Sequence, residues 1–339
     1  MLTIHKKLFN IFVMKKTDIF KVIMDVDPGV DDATNILFAA TDPRIDIKLI
    51  SVVDGNVGLE QSTQTVLYLL DELKKDIPVV KGVNFGVEKC YSMHGLGSLG
   101  GVAIPKKVKH KTTNKDVADA MMELLTQYPH EITLLCSGPL TNIRYLFSKY
   151  PRAKEYVKRI IFMGGSFGLP GQPGHISYNS RTDPEAMDCV VNSGVPCVMV
   201  QSLIGRTKAR FDETQVANFA KMSQMGQFIY QTFDTYWEPG FDEKFVSNND
   251  VCTYLYLVRP DMFSTEAISI KVDLVDKRGK LTKRRNKNSS VLLVTDLNRA
   301  EFLEEMFLHV ANCKKIKINF KPYSEVDKFL PGDYDGDRK

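Results

Sequence analysis

The chain has 339 residues, 43% hydrophobic and 25% charged, enough apolar material for one large domain or two small ones. Its 45 Lys and Arg against 41 Asp and Glu leave a net charge of +4, a balance that predicts neither a nucleic-acid nor a membrane partner. The six cysteines (Cys90, Cys136, Cys189, Cys197, Cys252 and Cys313) form no CxxC pair and no metal-finger spacing. Most lie in apolar segments, which fits buried thiols in a reducing compartment and a cytoplasmic location.

In chain order, MLTIHKKLFNIFVMKK lacks the apolar length and small-residue cleavage site of a signal peptide, so residues 1–19 read as an extension. From residue 20, apolar runs of strand length alternate with helical patterns. VIMDVD (22–27) leads into DDATNILFAA, where Ile36, Leu37 and Ala40 share a helical face. DIKLISVVDG (46–55) precedes QSTQTVLYLLDEL (61–73), and PVVKG (78–82) follows. ADAMMELLTQY (118–128), EITLLCSG (131–138), TNIRYLFSKY, RIIFMGG (159–165), DPEAMDCVVNSG (183–194) and PCVMVQS (196–202) continue the alternation. Residues 212–258 read as mainly helical, with aromatics crowded into FIYQTFDTYWEPGF (228–241). ISIKVDLVD (268–276) and SVLLVTD (290–296) read as late strands, and RAEFLEEMFLHVANC as a closing helix. Strands alternating with helices predict an α/β fold, a mostly parallel open sheet flanked by helices, with additional helices in the C-terminal third. No linker or repeat interrupts the pattern, so one domain is expected over 20–325, followed by a polar tail over 326–339.

Two patterns carry little. A literal GxGxxG at Gly95 to Gly100 has no strand before it and no helix after it. The run KRGKLTKRRNKN (277–288) has seven Lys or Arg but no interleaved aromatics, so it reads as a solvated turn or loop.

DVDPGVDD places Asp25, Asp27, Asp31 and Asp32 within eight residues. An EF-hand loop starting at Asp25 would need Gly at Val30 and Glu at Ile36. A DxD phosphotransferase leaves Asp31, Asp32 and the Pro-Gly turn without a role, and a helix N-cap needs only one aspartate. A hard divalent cation, calcium by preference, would relieve the crowding. Asp25 and Asp27 alternate at a strand end, Pro28 and Gly29 turn the chain, and Asp31 and Asp32 return at the next helix. That is where open α/β sheets bind ligands. A neighbouring carboxylate there can take the proton of an activated water.

DVDPGVDD resembles the DxDPGxDD signature of the inosine-uridine type nucleoside hydrolases, which cleave the N-glycosidic bond of ribonucleosides. Further matches follow in order: VVDGN ending at Asn56, MHG at His94, LLCSGPLTNI (134–143), IFMGG (161–165), NSRTDPEA (179–186) and NNDVCTYLYLVRPDMF (248–263). The resemblance implies calcium held by Asp27, Asp32, the Ser137 carbonyl and Asp250, with the ribose diol completing the shell. It implies Asp27 as general base, Asp31 and Asn179 on ribose hydroxyls, Asn56 ordering the water and metal site, and Asp25 in support. Met163 falls among the substrate contacts. The implied reaction is water attack on C1′ through an oxocarbenium-like state, and the implied assembly is a homodimer or homotetramer.

Three positions depart from the family. Ser177 replaces a glutamate, and Gly171, beside Gln172, replaces an asparagine; in the family both grip the ribose 5′-hydroxyl. Their joint loss suggests a substrate with a different 5′ end, a 5′-phosphate or another substituent, for which His175, Arg181 and Lys208 are candidate contacts. Alternatively, water or another side chain replaces the lost contacts. Asn249 replaces the histidine that protonates the departing base in many members, and an amide cannot act as that acid. His94 is a candidate replacement, and Tyr230, Phe233, Tyr236 and Trp237 are candidates for stacking on the base. The alternative to a hydrolase is a non-catalytic ribose- or nucleoside-binding protein that retains the calcium site. A metal phosphatase would instead release phosphate and no free base.

Overall fold

The computed structural model describes residues 19–84, 94, 98–168, 174–233, 236–237 and 244–322. The expected N-terminal extension and C-terminal tail therefore fall almost wholly outside the described residues, as do Cys90, Gly171 and Gln172.

The first half of the chain alternates as the sequence predicts. In order come β1 (Phe20–Val26), α1 (Val30–Thr41), β2 (Ile45–Val52), α2 (Leu59–Leu73), β3 (Val79–Lys81) and β4 (Val102–Ala103). They are followed by α3 (Val117–Gln127), β5 (Thr133–Cys136), α4 (Thr141–Lys149), α5 (Ala153–Tyr156) and β6 (Arg159–Met163). Next are α6 (Tyr178–Thr182), α7 (Pro184–Val191), β7 (Cys197–Val200), α8 (Leu203–Thr207) and β8 (Arg210–Asp212). Then come α9 (Glu213–Ala220), α10 (Gln224–Phe233), β9 (Phe245–Ser247), α11 (Val251–Val258) and β10 (Phe263–Val272). β11 (Leu281–Arg285), β12 (Val291–Leu297), α12 (Arg299–Asn312) and β13 (Lys321–Pro322) close the chain.

Nine strands form one sheet in the order β11-β10-β12-β7-β6-β5-β1-β2-β3. The strands from β12 to β3 pair in parallel, while β10 pairs antiparallel with both β12 and β11. Because strand residues alternate between faces, Val22, Met24 and Val26 join one apolar layer with α1, α2, α10, α11 and α12. Ile23 joins the other, with α3, α4 and α7.

The basic run expected to be a loop contains β11, in which Thr282 to Arg285 are exposed. Lys283 and Arg285 both bind Glu266 of β10, so cross-strand ion pairs hold a segment whose composition reads as solvated. The region read as mainly helical also carries the β8–β9 ribbon, with Phe211 opposite Val246. No helix among the described residues is long and apolar enough to cross a membrane.

α1 ends where Asp42 and Pro43 refuse a further turn. Its last turn packs on α11 and α12. Tyr254 OH donates to Asp42, which also pairs with Arg44 at 2.6 Å. Glu305 joins the group, 3.3 Å from Arg44 and 3.0 Å from Arg259. His309 stacks on Phe38 with 4.0 Å between ring centroids, and its Nε2 lies 2.8 Å from Thr41 Oγ1. Burial pushes the His309 pKa down from its ordinary 6.5 to about 4. The unfolded chain therefore takes up this proton first, and the stability it withholds is lost as pH falls from 6.5 toward 4. Over that window the wild type is expected to lose ~2 kcal/mol more than His309→Gln, after allowance for partial exposure. Urea melts at pH 7 and pH 4.5 measure the difference, and parallel losses in both proteins would contradict it.

Candidate active site

Strand order reverses between β1 and β5, so a crevice opens at their carboxyl ends, the topological switch point of an open parallel sheet. β1 delivers Asp25 and, one residue beyond its end, Asp27. The first turn of α1 supplies Asp31 and Asp32, the residue after β5 is Ser137, and Asp250 stands at the residue before α11. All five aspartates are buried. Both helices point their amino ends at the cluster, where the helix dipole favours negative charge.

Each carboxylate is held by a specific neighbour. Register places Asp25 beside Ser51 and Cys136, and its Oδ1 accepts hydrogen bonds from Ser51 Oγ at 2.5 Å and Asn142 Nδ2 at 2.8 Å. Burial raises its pKa to about 7. Asp27 Oδ2 accepts from the Asn56 N–H at 2.9 Å, while Asn56 Nδ2 donates to the Asp27 carbonyl at 3.1 Å. Two glycines make room for this carboxylate. A Cβ on Gly55 would lie 2.0 Å from Asp27 Oδ2, and one on Gly138 2.8 Å from Oδ1. Asp32 accepts from the Ser137 hydroxyl and from the Gly29 N–H at 3.3 Å.

Burial, reinforced by the neighbouring carboxylates, pushes Asp27 and Asp250 well above the usual carboxylate range; burial also raises Asp32. No hydrogen-bond donor reaches Asp27 Oδ1 or Asp250 Oδ1. Carboxylate oxygens of Asp31, Asp32 and Asp250 lie within 4.8 Å of one another. An all-oxygen set of buried acids with undonated oxygens fits a hard divalent cation.

A cavity of about 190 Å³ sits over the acids and is lined by Asp31, Asn56, His94, Ser137, Met163, Ser177, Asn179, Tyr236, Asn249 and Asp250. These ten expected site residues, scattered along the sequence, are brought together; Asp27 and Asp32 do not line the cavity themselves. The trio whose oxygens converge includes Asp31, where the family resemblance implies Asp27. The Ser137 carbonyl accepts from Asn179 Nδ2 at 2.6 Å, and the same nitrogen reaches the Met163 carbonyl at 3.2 Å.

His94 Nδ1 accepts the Val30 N–H at 3.2 Å, which assigns the neutral ring's proton to Nε2. A side chain on Gly29 would collide with this ring at 2.5 Å. Burial lowers the His94 pKa to about 4, and the ring stacks on Tyr236 at 4.9 Å. Of the four candidate stacking aromatics, only Tyr236 lines the cavity. Phe233 packs in the core against Phe211, Tyr230 packs partly buried against the same layer, and Trp237 lies under Lys244 Nζ at 4.2 Å.

Asn249 Oδ1 accepts the Gly205 N–H at 2.8 Å. Ser177 caps α6, its hydroxyl taking the Gly165 N–H at 2.6 Å and the Ser180 N–H at 3.4 Å. His175 and Arg181 line the cavity, whereas Lys208 does not and pairs with Asp296 at 3.2 Å. The sequence reading missed Tyr178, Ser202 and Arg206 as lining residues. The signal for Arg206 is its place four residues after Ser202 on α8, which becomes visible only once that short helix is known.

The model of the inosine-uridine preferring nucleoside hydrolase family matches residues 22–304. The non-specific ribonucleoside hydrolase RihC of Escherichia coli is 31% identical over 258 residues, 74% of this chain and 83% of the relative. RihC of Shigella sonnei matches with the same identity and coverage, 31% over 258 residues, 74% of this chain and 83% of the relative. Among solved structures, the plant nucleoside hydrolase PpNRh1 superposes with a TM-score of 0.79 at 22% identity, over 86% of this chain and 99% of that one. The purine-preferring ribonucleoside hydrolase of Gardnerella vaginalis gives 0.78 at 23% identity, over 87% and 99%. At these identities the superpositions establish the shared fold.

If the acids are a cation site, a divalent ion at ~100 times its Kd is expected to stabilise the protein by about 2.7 kcal/mol, a melting shift on the order of 5 °C. Asp250→Asn, which removes one buried charge from the cluster, is expected to raise the melting temperature without ion and to abolish the response. Thermal melts with and without chelator read both effects. A full response in the variant would rule Asp250 out of the set.

Proposed function

The chain belongs to the inosine-uridine preferring nucleoside hydrolase family of N-glycosyl hydrolases, and we propose that it hydrolyses a ribonucleoside to free base and ribose with calcium in the acidic cluster. The observation that carries the reading is the convergence of five buried aspartates on the switch point, beneath a cavity lined by Asp31, Asn179 and His94.

Asp32, Asp250 and the Ser137 carbonyl would hold the ion, with Asp27 or Asp31 completing the protein's share. Calcium supplies positive charge among the carboxylates and acidifies water in their midst. Asp31 and Asn179 orient the ribose through its 2′- and 3′-hydroxyls. Asp27, fixed by the Asn56 N–H and given room by Gly55 and Gly138, takes the proton of the attacking water. As the water oxygen bonds to C1′, the C1′–N bond breaks with its electron pair leaving on the base, which then gains a proton. The carboxylates stabilise the positive charge that builds on the sugar.

The base rests against the stacked His94–Tyr236 pair. His94 is neutral at pH 7 and offers Nε2–H as a hydrogen-bond donor to the departing base rather than as a charged acid. Asn249 is committed to the Gly205 N–H, which supports a positioning role for it. The departures at Ser177 and Gly171 support an altered 5′ end on the substrate.

Chromatography of free base from a panel of ribonucleosides, with calcium and again with chelator, tests the reading. Asp27→Ala is expected to lower kcat by about 10³-fold, and His94→Gln by about tenfold as one hydrogen bond to the leaving group is lost. Calcium-dependent ribose binding without base release from any nucleoside would instead support the non-catalytic alternative.

A further inference from the structure

We propose that the cavity selects a riboside carrying a 5′-phosphate, with Arg181 and Arg206 as the residues that recognise the anion; this rests on the hydrolase reading and specifies its substrate class. The two arginines come from different helices but reach the same cavity by the same device. Ser177 and Arg181 are one turn apart at α6, as Ser202 and Arg206 are at α8, and all four line the cavity. A single residue joins the two segments. The Gly165 N–H donates to Ser177 Oγ at 2.6 Å, and the Gly165 carbonyl accepts from Ser202 Oγ at 3.2 Å. Gly165 has φ +66°, and a Cβ there would meet Met199 Cε at 2.2 Å, so the joint requires glycine. His175 adds a third nitrogen group, its Nε2 lying 3.0 Å from Ser202 Oγ.

The cavity is therefore two-ended in charge. Among the described residues, its acidic lining residues are Asp31 and Asp250, both in the proposed cation cluster, whereas Arg181 and Arg206 bring fixed positive charge. A divalent ion offsets the charge of the two lining acids, and the guanidiniums at the other end then favour an anion. With the diol at the acids and the base against His94 and Tyr236, the ribose substituent left for that end is the one on C5′. A neutral hydroxyl needs one or two hydrogen bonds. Two guanidiniums supply forked donors that match phosphate oxygens.

The first measurement is calorimetric binding of ribose 5-phosphate against ribose, with calcium at fixed ionic strength. The phosphate is expected to bind at least tenfold tighter, and Arg206→Gln and Arg181→Gln are each expected to cut that ratio severalfold. Lys208→Gln, whose amine pairs with Asp296 away from the cavity, is expected to leave the ratio as it is. Equal affinities, or a ratio that neither arginine variant moves, overturns the proposal; because the wild-type comparison needs no variant, poor folding of either one does not blunt it. The second measurement is base release from adenosine, uridine and their 5′-monophosphates, with ribose 5-phosphate expected as co-product and the monophosphates preferred. Cleavage of nucleosides but not monophosphates overturns the phosphate inference and leaves the hydrolase standing. Base release from none of them overturns the hydrolase reading, and the substrate class with it.

Discussion

Five buried aspartates around one point cannot all carry charge unless something positive stands among them. Two carboxylates about 4 Å apart repel by ~4 kcal/mol even at the effective dielectric of a protein surface, and here oxygens of Asp31, Asp32 and Asp250 lie within 4.8 Å of one another. The surrounding structure is arranged around that repulsion. Two helix amino ends face the cluster, Ser51, Asn142, Asn56 and Ser137 donate into it, and glycines keep side chains out of the space that Asp27 fills. These contacts fix the carboxylates in place without neutralising them. The remaining deficit is one that a divalent ion would satisfy, so the site is best understood as a preorganised hole for positive charge.

The grip of α11 on α1 sets this geometry. Asn35 Nδ2 donates to Thr253 Oγ1 at 3.3 Å, and Tyr254 binds Asp42 at the far end of α1. α1 is thus gripped at its middle and at its carboxyl end by consecutive residues of α11, and Asp250, at the amino end of α11, arrives against Asp31 and Asp32, more than two hundred residues earlier in the chain. The charge that defines the reaction and the packing that defines the fold are linked through this one interface.

Much of this was legible beforehand, for identifiable reasons. The parallel sheet showed itself because its strands are apolar on both faces and punctuated by helices, and the aspartate turn because four like charges in eight residues require an explanation. Family motifs then supplied Asp250, Asn179 and His94, which no local pattern connects to the turn. What stayed hidden depends on distance in space. β11 is held by two cross-strand pairs to Glu266, and nothing within its own residues announces them. The aromatics near residue 230 could not be divided into core and cavity, since helical spacing suits both; Phe233 faces Phe211 and Tyr236 faces His94. Arg206 was overlooked because its role follows from the shared tether at Gly165, a contact between segments almost forty residues apart.

The same β11 has a consequence for how copies of this chain can meet. An open sheet offers its outermost strands as templates for further pairing. At one margin β11 presents Lys283, Arg284 and Arg285 to solvent, and a second copy laid alongside would bring like charge against like. At the other margin, β3 is already engaged by a bridge from Val79 to Thr112. Growth of the nine-stranded sheet from molecule to molecule is therefore discouraged at both ends.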